Sequence, residues 1–420
     1  MFKKTKLKNG LRIITAPMKN TKTVTVLFLV KAGSKYETKK ISGLSHFLEH
    51  MFFKGTKKRP TTLDIASSLD SAGGEYNAFT GKEYAGYFAK VDYKNFDLAL
   101  DVISDMLLYS KFDQNEIDKE KGVILEEMNM YYDTPMSYVG ELFENLLYKD
   151  QPAGWDTLGE KDVVLNLQRK NFINYWKDHY TTKNSVICVA GNIENKKAIY
   201  KIKKYFSELK DGEGKDKKKV IEKQEKPQFK IKYKKTDQAH LCLGVRGYDI
   251  FHQDKMVLNL LSVILGGNMS SRLFISLREK EGLAYYIRTL SNVYTDSGYL
   301  MTQAGVDNKR VERAIELILS EYKKIKEKGV SEKELKKAKD YIKGKSLLSF
   351  EASDDIASFF AGQEILAEKI LTLPEKFAKI DKVSVDDIKR VAKDIFIPKK
   401  LNLAMIGPFK KLPETYLENI

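Results

Sequence analysis

Apolar and polar positions along the chain follow two different periods, and the order in which these periods occur is repeated once. Nearly continuous apolar runs at residues 24–30 and 239–245 predict buried strands. After each run, apolar residues recur every three or four positions over two long segments, which is typical of amphipathic helices. The predicted helix pairs cover residues 93–110 and 114–132 in the first half, and residues 308–327 and 331–350 in the second.

Matching residues at a constant spacing indicate an internal duplication. Residues 177–191 align with residues 393–407 at an offset of 216, and both segments end in an apolar strand. We therefore expect two homologous domains at residues 1–208 and 228–420, joined by a charged linker at residues 209–227. The expected class is α+β, in which each domain has an antiparallel-rich sheet with helices packed on one side.

The length of 420 residues agrees with two domains, because single hydrophobic cores stop growing at about 250 to 300 residues. No apolar run approaches the ~20 residues of a membrane-spanning helix, so we expect no membrane partner. The first residues include lysines without a following apolar segment, which predicts no secretory signal and a cytoplasmic location. Cys188 and Cys242 lie in apolar, strand-like runs and are predicted to be buried, reduced thiols.

The net charge of +16 raises the alternative that the protein binds nucleic acid. Part of the excess is local, since residues 210–235 contain 11 lysines against 5 acidic residues. The other lysines are scattered over polar helix faces, without a helix-turn-helix signature, a zinc knuckle or an RNP-like aromatic motif. We therefore interpret the charge as a solvated surface and expect no nucleic-acid partner.

The strongest candidate for chemistry is the segment His46-Phe-Leu-Glu49-His50, which has the apolar spacing of a helix that Ser42 could cap. Residues at positions i and i+4 share one helix face, so both imidazoles can reach one metal ion, with Glu49 beside them. This is the order found in the inverted zinc peptidases. Because a catalytic zinc ion has three protein ligands and keeps a position for water, a third ligand is required.

The predicted helix at residues 114–132 contains candidates for that third ligand. Glu120 and Glu127 lie on its apolar stripe, where carboxylates are costly unless a cation neutralises them. We predict that Glu127 binds the metal and that Glu120 is an outer carboxylate that orients a histidine or Glu49.

Ordinary half-buried histidines and a solvated acidic face are the alternative interpretation of these residues. The duplication argues against it, because the second copy has Ala338 opposite Glu120. In addition, residues 257–262, opposite the histidine motif, contain neither histidine nor glutamate. Groups that only one copy of a fold carries are expected to serve chemistry.

With these motifs the chain resembles the pitrilysin, insulysin and mitochondrial processing peptidase family. The resemblance covers nearly the whole chain and is carried by residues 43–56, 76–80, 120–128 and 270–286. The chain is similar in length to the two-domain subunits of the short subfamily of that family. The alignment through Val-Ile-Leu in the third segment selects Glu127 over Glu126 as the ligand.

The resemblance implies a zinc metalloendopeptidase that hydrolyses unstructured peptides or processing segments. It implies one Zn²⁺ per subunit, held by His46, His50 and Glu127, and Glu49 as the general base. It also implies a strand that binds extended substrate and an arginine–tyrosine pair that contacts it, with the tyrosine assisting catalysis as a hydrogen-bond donor. These residues are Asn77, Ala78, Phe79, Arg278 and Tyr285.

Because the chain resembles half of the four-domain members of that family, we expect a homodimer in which two subunits enclose a chamber. Two alternatives to the peptidase stay open. The first is a catalytically silent peptide-binding or scaffold subunit of the same family, and the second is the basic nucleic-acid-binding protein.

Overall fold

The computed structural model of the protein describes residues 2–410 and contains two β-sheets, one from each half of the sequence. The first sheet is formed by β1 (Lys3–Lys6), β2 (Arg12–Pro17), β3 (Thr23–Val30), β4 (Glu75–Thr80), β5 (Ala85–Asp92) and β6 (Ser185–Gly191). The second is formed by β7 (Gln228–Tyr233), β8 (Gln238–Arg246), β9 (Ala284–Val293), β10 (Gly298–Asp307) and β11 (Leu401–Gly407).

The strand order is β1-β2-β6-β3-β5-β4 in the first sheet and β7-β11-β8-β10-β9 in the second. Neighbouring strands are antiparallel except for β2 with β6 and β7 with β11. Each sheet therefore has the same pattern of one parallel pair next to antiparallel pairs. The predicted α+β class with two duplicated, antiparallel-rich sheets is confirmed.

Helices account for most of the remaining chain. In the first half they are α1 (Leu44–Met51), α2 (Thr62–Asp70), α3 (Phe96–Tyr109), α4 (Gln114–Asp133), α5 (Pro135–Tyr148), α6 (Lys161–Asn166), α7 (Arg169–His179) and α8 (Asn195–Tyr205). In the second half they are α9 (Lys255–Gly266), α10 (Val311–Lys328), α11 (Glu332–Ser349), α12 (Ser353–Ala367), α13 (Leu373–Asp381) and α14 (Val385–Ile395). The four long helices predicted from periodicity are α3, α4, α10 and α11.

Both faces of the first sheet are buried at its central strand β3. Successive side chains of a strand point to opposite faces, and on β3 Phe28 stacks on Tyr180 and Phe206, whereas Leu27 and Leu29 pack in a cluster with α12. Helix α12 therefore covers the face of the sheet that lies opposite the other helices, which the sequence did not predict.

The second sheet is built in the same way. Leu241 and Leu243 of β8 belong to a large core with α9, α10 and α14, whereas Cys242 between them packs in a separate cluster with Val139 and Phe143 of α5. Cys188 on β6 and Cys242 are both free and fully buried, which confirms the prediction for the two thiols, and burial raises the pKa of each.

The chain divides into two compact units that are not contiguous in sequence. The first comprises Met1–Met128, Trp155–Lys218 and Leu347–Ile370, so that it includes α12. The second comprises Asn129–Gly154, Lys219–Ser346 and residues 371–410, so that it includes α5. The units differ from the predicted contiguous domains at residues 1–208 and 228–420. Helix α5 of the first half belongs to the second unit, and helix α12 of the second half belongs to the first unit.

Residues 210–227 form neither helix nor strand. The last ten residues of the predicted second domain lie outside the described part of the chain. Among residues 2–410, no helix is both long enough and apolar enough to cross a membrane.

Candidate metal centre

Gly43 is the cap residue immediately before helix α1, and it has a left-handed backbone conformation with φ of 89°. A Cβ atom at this position would lie 2.4 Å from the carbonyl oxygen of Leu158, so glycine is required by both conformation and space. The prediction that Ser42 caps the helix is wrong, because Ser42 precedes the cap position and the cap residue makes no side-chain hydrogen bond.

Glu37 performs the capping role instead. Its carboxylate accepts hydrogen bonds from the backbone N–H of Gly43 at 2.7 Å and of Ser45 at 2.6 Å, which have no partner within the helix. The Ser45 hydroxyl in turn donates to the Tyr175 hydroxyl at 2.7 Å. Burial is the largest influence on Glu37 and raises its pKa to about 7, although the hydrogen bonds oppose this. Neither residue type nor periodicity in the sequence pointed to Glu37.

The two histidines lie one turn apart on α1, with ring centroids 4.7 Å from each other. Glu127 on α4 faces both, since its Oε2 lies 3.5 Å from His46 Nε2 and 3.6 Å from His50 Nε2. One ligand atom from each of the three residues lies within 4.8 Å of the others, and no other such group of three occurs in residues 2–410.

These separations fit a zinc ion. Zinc bound at about 2.0 to 2.2 Å in a tetrahedral site spaces its ligand atoms about 3.4 Å apart. The distances from Glu127 Oε2 to the Nε2 atoms of His46 and His50 match that spacing without any movement of the side chains. Two imidazoles and one carboxylate are also the donor set of catalytic zinc sites that keep one position open.

The surroundings of His46 favour the neutral form that binds metal. His46 is 8% exposed, and burial together with the neighbouring His50 lowers its pKa to about 3. Its Nδ1 is buried without a hydrogen-bond partner among the described residues. His50 Nδ1 lies 2.9 Å from Glu120 Oε1, and this contact directs the other ring nitrogen, Nε2, towards Glu127.

Glu120 and Lys54 form the layer behind His50. The second oxygen of Glu120, Oε2, forms an ion pair with Lys54 Nζ at 2.6 Å. Burial raises the pKa of Glu120, but the hydrogen bonds from His50 and Lys54 outweigh it and hold this pKa below its ordinary value. The pKa of Glu127 is raised, chiefly by burial, with the charge of Glu120 adding to the effect.

Glu49 lies between the histidines in sequence and is oriented by a residue from the first sheet. Thr80, the last residue of β4, donates a hydrogen bond of 2.5 Å from its hydroxyl to Glu49 Oε2. Burial raises the pKa of Glu49, the Thr80 hydrogen bond opposes this, and the charge of Glu127 adds to it. Thr80 lies in segment 76–80, which carries part of the family resemblance, but its contact with Glu49 was not predicted.

The predicted substrate strand is β4, which is the outermost strand of the first sheet and pairs only with β5 among residues 2–410. The side-chain oxygen of Asn77 accepts a hydrogen bond of 2.8 Å from the backbone N–H of Ala78. Phe79 is partly exposed, and its ring covers Gly86, the residue paired with it on β5. The free edge of β4 and the metal ligands thus belong to the same unit.

Arg278 and Tyr285 belong to the second unit and lie side by side. The Arg278 guanidinium is 5.9 Å from the centre of the Tyr285 ring and 5.0 Å from that of Phe274. Tyr285 is on β9, an outer strand of the second sheet, and 75% of it is exposed. The Tyr285 hydroxyl makes no hydrogen bond to another residue in the described range 2–410, so it is available to a ligand.

The second copy of the fold keeps the packing of α4 without its chemistry. On α11, the buried residues are Leu335 and Ala338, which correspond to Ile117 and Glu120 of α4. A carboxylate at the position of Glu120 is therefore not needed for the fold itself.

Comparison with protein families matches both halves of the chain. Residues 12–161 match the family described as "Insulinase (Peptidase family M16)", and residues 166–342 match "Peptidase M16 inactive domain". The segment that lacks the candidate metal ligands is thus the one that matches a domain described as inactive.

Whole-length relatives carry zinc protease names. The chain is 37% identical over 414 residues to "Uncharacterized zinc protease YmxG" of Bacillus subtilis, covering 98% of this chain and 100% of the relative. It is 32% identical over 418 residues to "Uncharacterized zinc protease SCO5738" of Streptomyces coelicolor, covering 97% and 90%. A solved structure described as a protease from Helicobacter pylori superimposes with a TM-score of 0.90 at 25% identity, covering 97% of this chain and 99% of that one.

Proposed function

Because this chain belongs to peptidase family M16, the insulinase family, we propose that it is a zinc endopeptidase that cleaves unstructured peptide segments. The observation that carries the proposal is the position of Glu127 Oε2, 3.5 and 3.6 Å from the imidazoles of His46 and His50. A silent scaffold subunit has no need of these three ligands together with Glu49.

Zinc held by His46, His50 and Glu127 would supply a Lewis acid that makes water nucleophilic near neutral pH. The protein groups contribute the remaining functions. Glu120 orients the ring of the ligand His50, and the burial of His46 keeps the imidazole of that second ligand unprotonated.

Glu49 is the proposed general base. Its Oε2 accepts the Thr80 hydroxyl, which leaves Oε1 to take a proton from the attacking water and to pass it to the departing amine. The raised pKa of Glu49, caused mainly by burial, brings the carboxylate closer to the neutral range in which a general base is most effective.

The free edge of β4 is the proposed binding surface for extended peptide. A substrate strand can add to it through main-chain hydrogen bonds, a mode that tolerates many side-chain sequences. Asn77 Oδ1 already accepts the N–H of Ala78, so binding through this N–H exchanges one acceptor for another. Phe79 at the same strand offers an apolar surface.

Arg278 and Tyr285 are proposed to contact the substrate backbone. The guanidinium would bind a peptide carbonyl, and the exposed Tyr285 hydroxyl would donate to the oxygen that becomes negative as water attacks. Both roles come from the family resemblance.

Metal removal and replacement test the proposal. A quenched, unstructured peptide is incubated with the purified protein, with protein treated with a chelator and then dialysed, and with the same sample after addition of one equivalent of Zn²⁺. We expect cleavage to be lost on chelation and restored by zinc. Cleavage that is insensitive to chelation, or absent at every zinc level, would contradict the proposal.

We also propose that the working enzyme is a homodimer in which the second unit of one chain completes the site of the other. Mixing Glu49→Gln protein with Tyr285→Phe protein tests this, since each mixed dimer then contains one intact site. Recovery of activity after subunit exchange supports the model. Demonstrated exchange with no recovery would contradict it.

A further inference from the structure

We propose that Lys54 is a positioning residue for zinc, which acts by holding the carboxylate of Glu120 against His50. The inference rests on the zinc site proposed above and adds to it a third layer of residues. Lys54 follows α1 in a turn in which its backbone N–H donates to the carbonyl of Met51 at 3.2 Å. This turn brings the lysine side chain back beside the metal ligands on α1.

The contacts form one continuous chain. Lys54 Nζ lies 2.6 Å from Glu120 Oε2, and Glu120 Oε1 lies 2.9 Å from His50 Nδ1. Each carboxylate oxygen therefore has its own partner, and rotation of the carboxylate would break both contacts at once. His50 Nε2, on the other side of the ring, faces the metal position 3.6 Å from Glu127 Oε2.

The charges around the site require a cation at this place. Glu49, Glu120 and Glu127 bring three carboxylates together, and both imidazoles are neutral when they bind metal. Among residues 2–410, Lys54 is the only lysine or arginine that forms an ion pair with any of the three. One zinc dication and one ammonium group balance three carboxylates, so the site is neutral as a whole only when Lys54 is present.

Burial makes this balance important. The Glu120 residue is 5% exposed, so water does little to stabilise its charge. Without Lys54, Oε2 would lose the one partner it has among the described residues, and the carboxylate would be free to turn away from His50. The His50 ring would then be less well oriented for zinc, although the fold of α1 and α4 would keep its apolar contacts.

The test measures zinc affinity rather than activity, by competition with a chelating indicator. Because outer partners of metal ligands change affinity by about 10- to 100-fold, we expect Lys54→Met to raise the dissociation constant for zinc about tenfold. Lys54→Arg, which keeps the charge, should stay close to the wild type. Lys57→Met, at an exposed lysine three residues away, is the matched control and should have no effect.

A double variant separates a positioning role from a general loss of packing. If Lys54 acts through Glu120, then Lys54→Met has no further effect on zinc affinity in a Glu120→Gln background. The same tenfold loss in both backgrounds would overturn the proposal, as would unchanged affinity of Lys54→Met beside a zinc-binding wild type. Failure of the wild-type protein to bind zinc would instead overturn the metal site itself, and the role of Lys54 with it.

Discussion

The carboxylate of Glu37 accepts a hydrogen bond of 2.6 Å from the backbone N–H of Ser45, the residue immediately before His46. A second bond from Gly43 completes the attachment of this buried side chain to the start of the metal-binding helix. The position of His46 therefore depends on a carboxylate that is not part of the metal site.

Glu37→Ala tests this attachment. The substitution leaves two buried N–H groups without an acceptor, and we expect it to lower the free energy of unfolding by about 3 kcal/mol. Urea unfolding of the metal-free protein measures the effect. Glu126→Ala removes an exposed carboxylate on α4 and is the control that should leave the unfolding midpoint unchanged. Equal midpoints for the two variants would contradict the role of Glu37.

Thr80→Val tests the orientation of the general base. Valine has nearly the shape of threonine but cannot donate to Glu49, whose carboxylate then has more freedom to turn. We expect kcat to fall about tenfold, which corresponds to about 1.4 kcal/mol, with KM and zinc content unchanged. Thr80→Ser keeps the hydroxyl and should retain most of the activity. A valine variant with wild-type kcat would show that the hydrogen bond does not matter for catalysis.

We expect the buried His179 to make the folded state less stable in acid. Burial, aided by the charge of Lys215 and opposed by Asp178, lowers its pKa from 6.5 to about 4. The folded state therefore holds the neutral ring, while the unfolded chain takes up a proton below its ordinary pKa. The stability from this residue is fully present above pH 6.5 and is lost as the pH falls towards 4, by about 3 kcal/mol in total.

His179→Phe isolates this contribution. Phenylalanine preserves an aromatic ring next to Tyr175, 4.3 Å away, and cannot be protonated. The unfolding midpoint should therefore change less between the two ends of this pH range in the variant than in the wild type. A His179→Phe variant whose unfolding midpoint has the wild-type pH dependence would refute the prediction.

The elements that the sequence predicted well are those with a local signal. The periodic segment at residues 114–132 predicted α4, found at Gln114–Asp133, and its stripe predicted the burial of Glu120. The histidine motif and the expected third ligand, Glu127, come together in the structure because both lie on regular helices whose faces can be read from spacing.

Contacts between distant segments had no such signal. Ser42 was chosen as the helix cap from its residue type, but the left-handed backbone of Gly43 and its close approach to Leu158 moved the start of the helix by one residue. Glu37 reaches α1 from an irregular segment, and Thr80 reaches Glu49 from a strand 31 residues away. Amphipathic patterns also do not say which sheet a helix covers, so the positions of α5 and α12 could not be predicted.

The central claim is that Glu49 acts on water at a zinc ion held by His46, His50 and Glu127. The most direct measurement is the rate of peptide cleavage by Glu49→Gln protein whose zinc content has been determined in the same sample. We predict one zinc ion per chain, as in the wild type, together with a loss of kcat of at least about 100-fold. A zinc-loaded Glu49→Gln protein that cleaves at the wild-type rate would contradict the account.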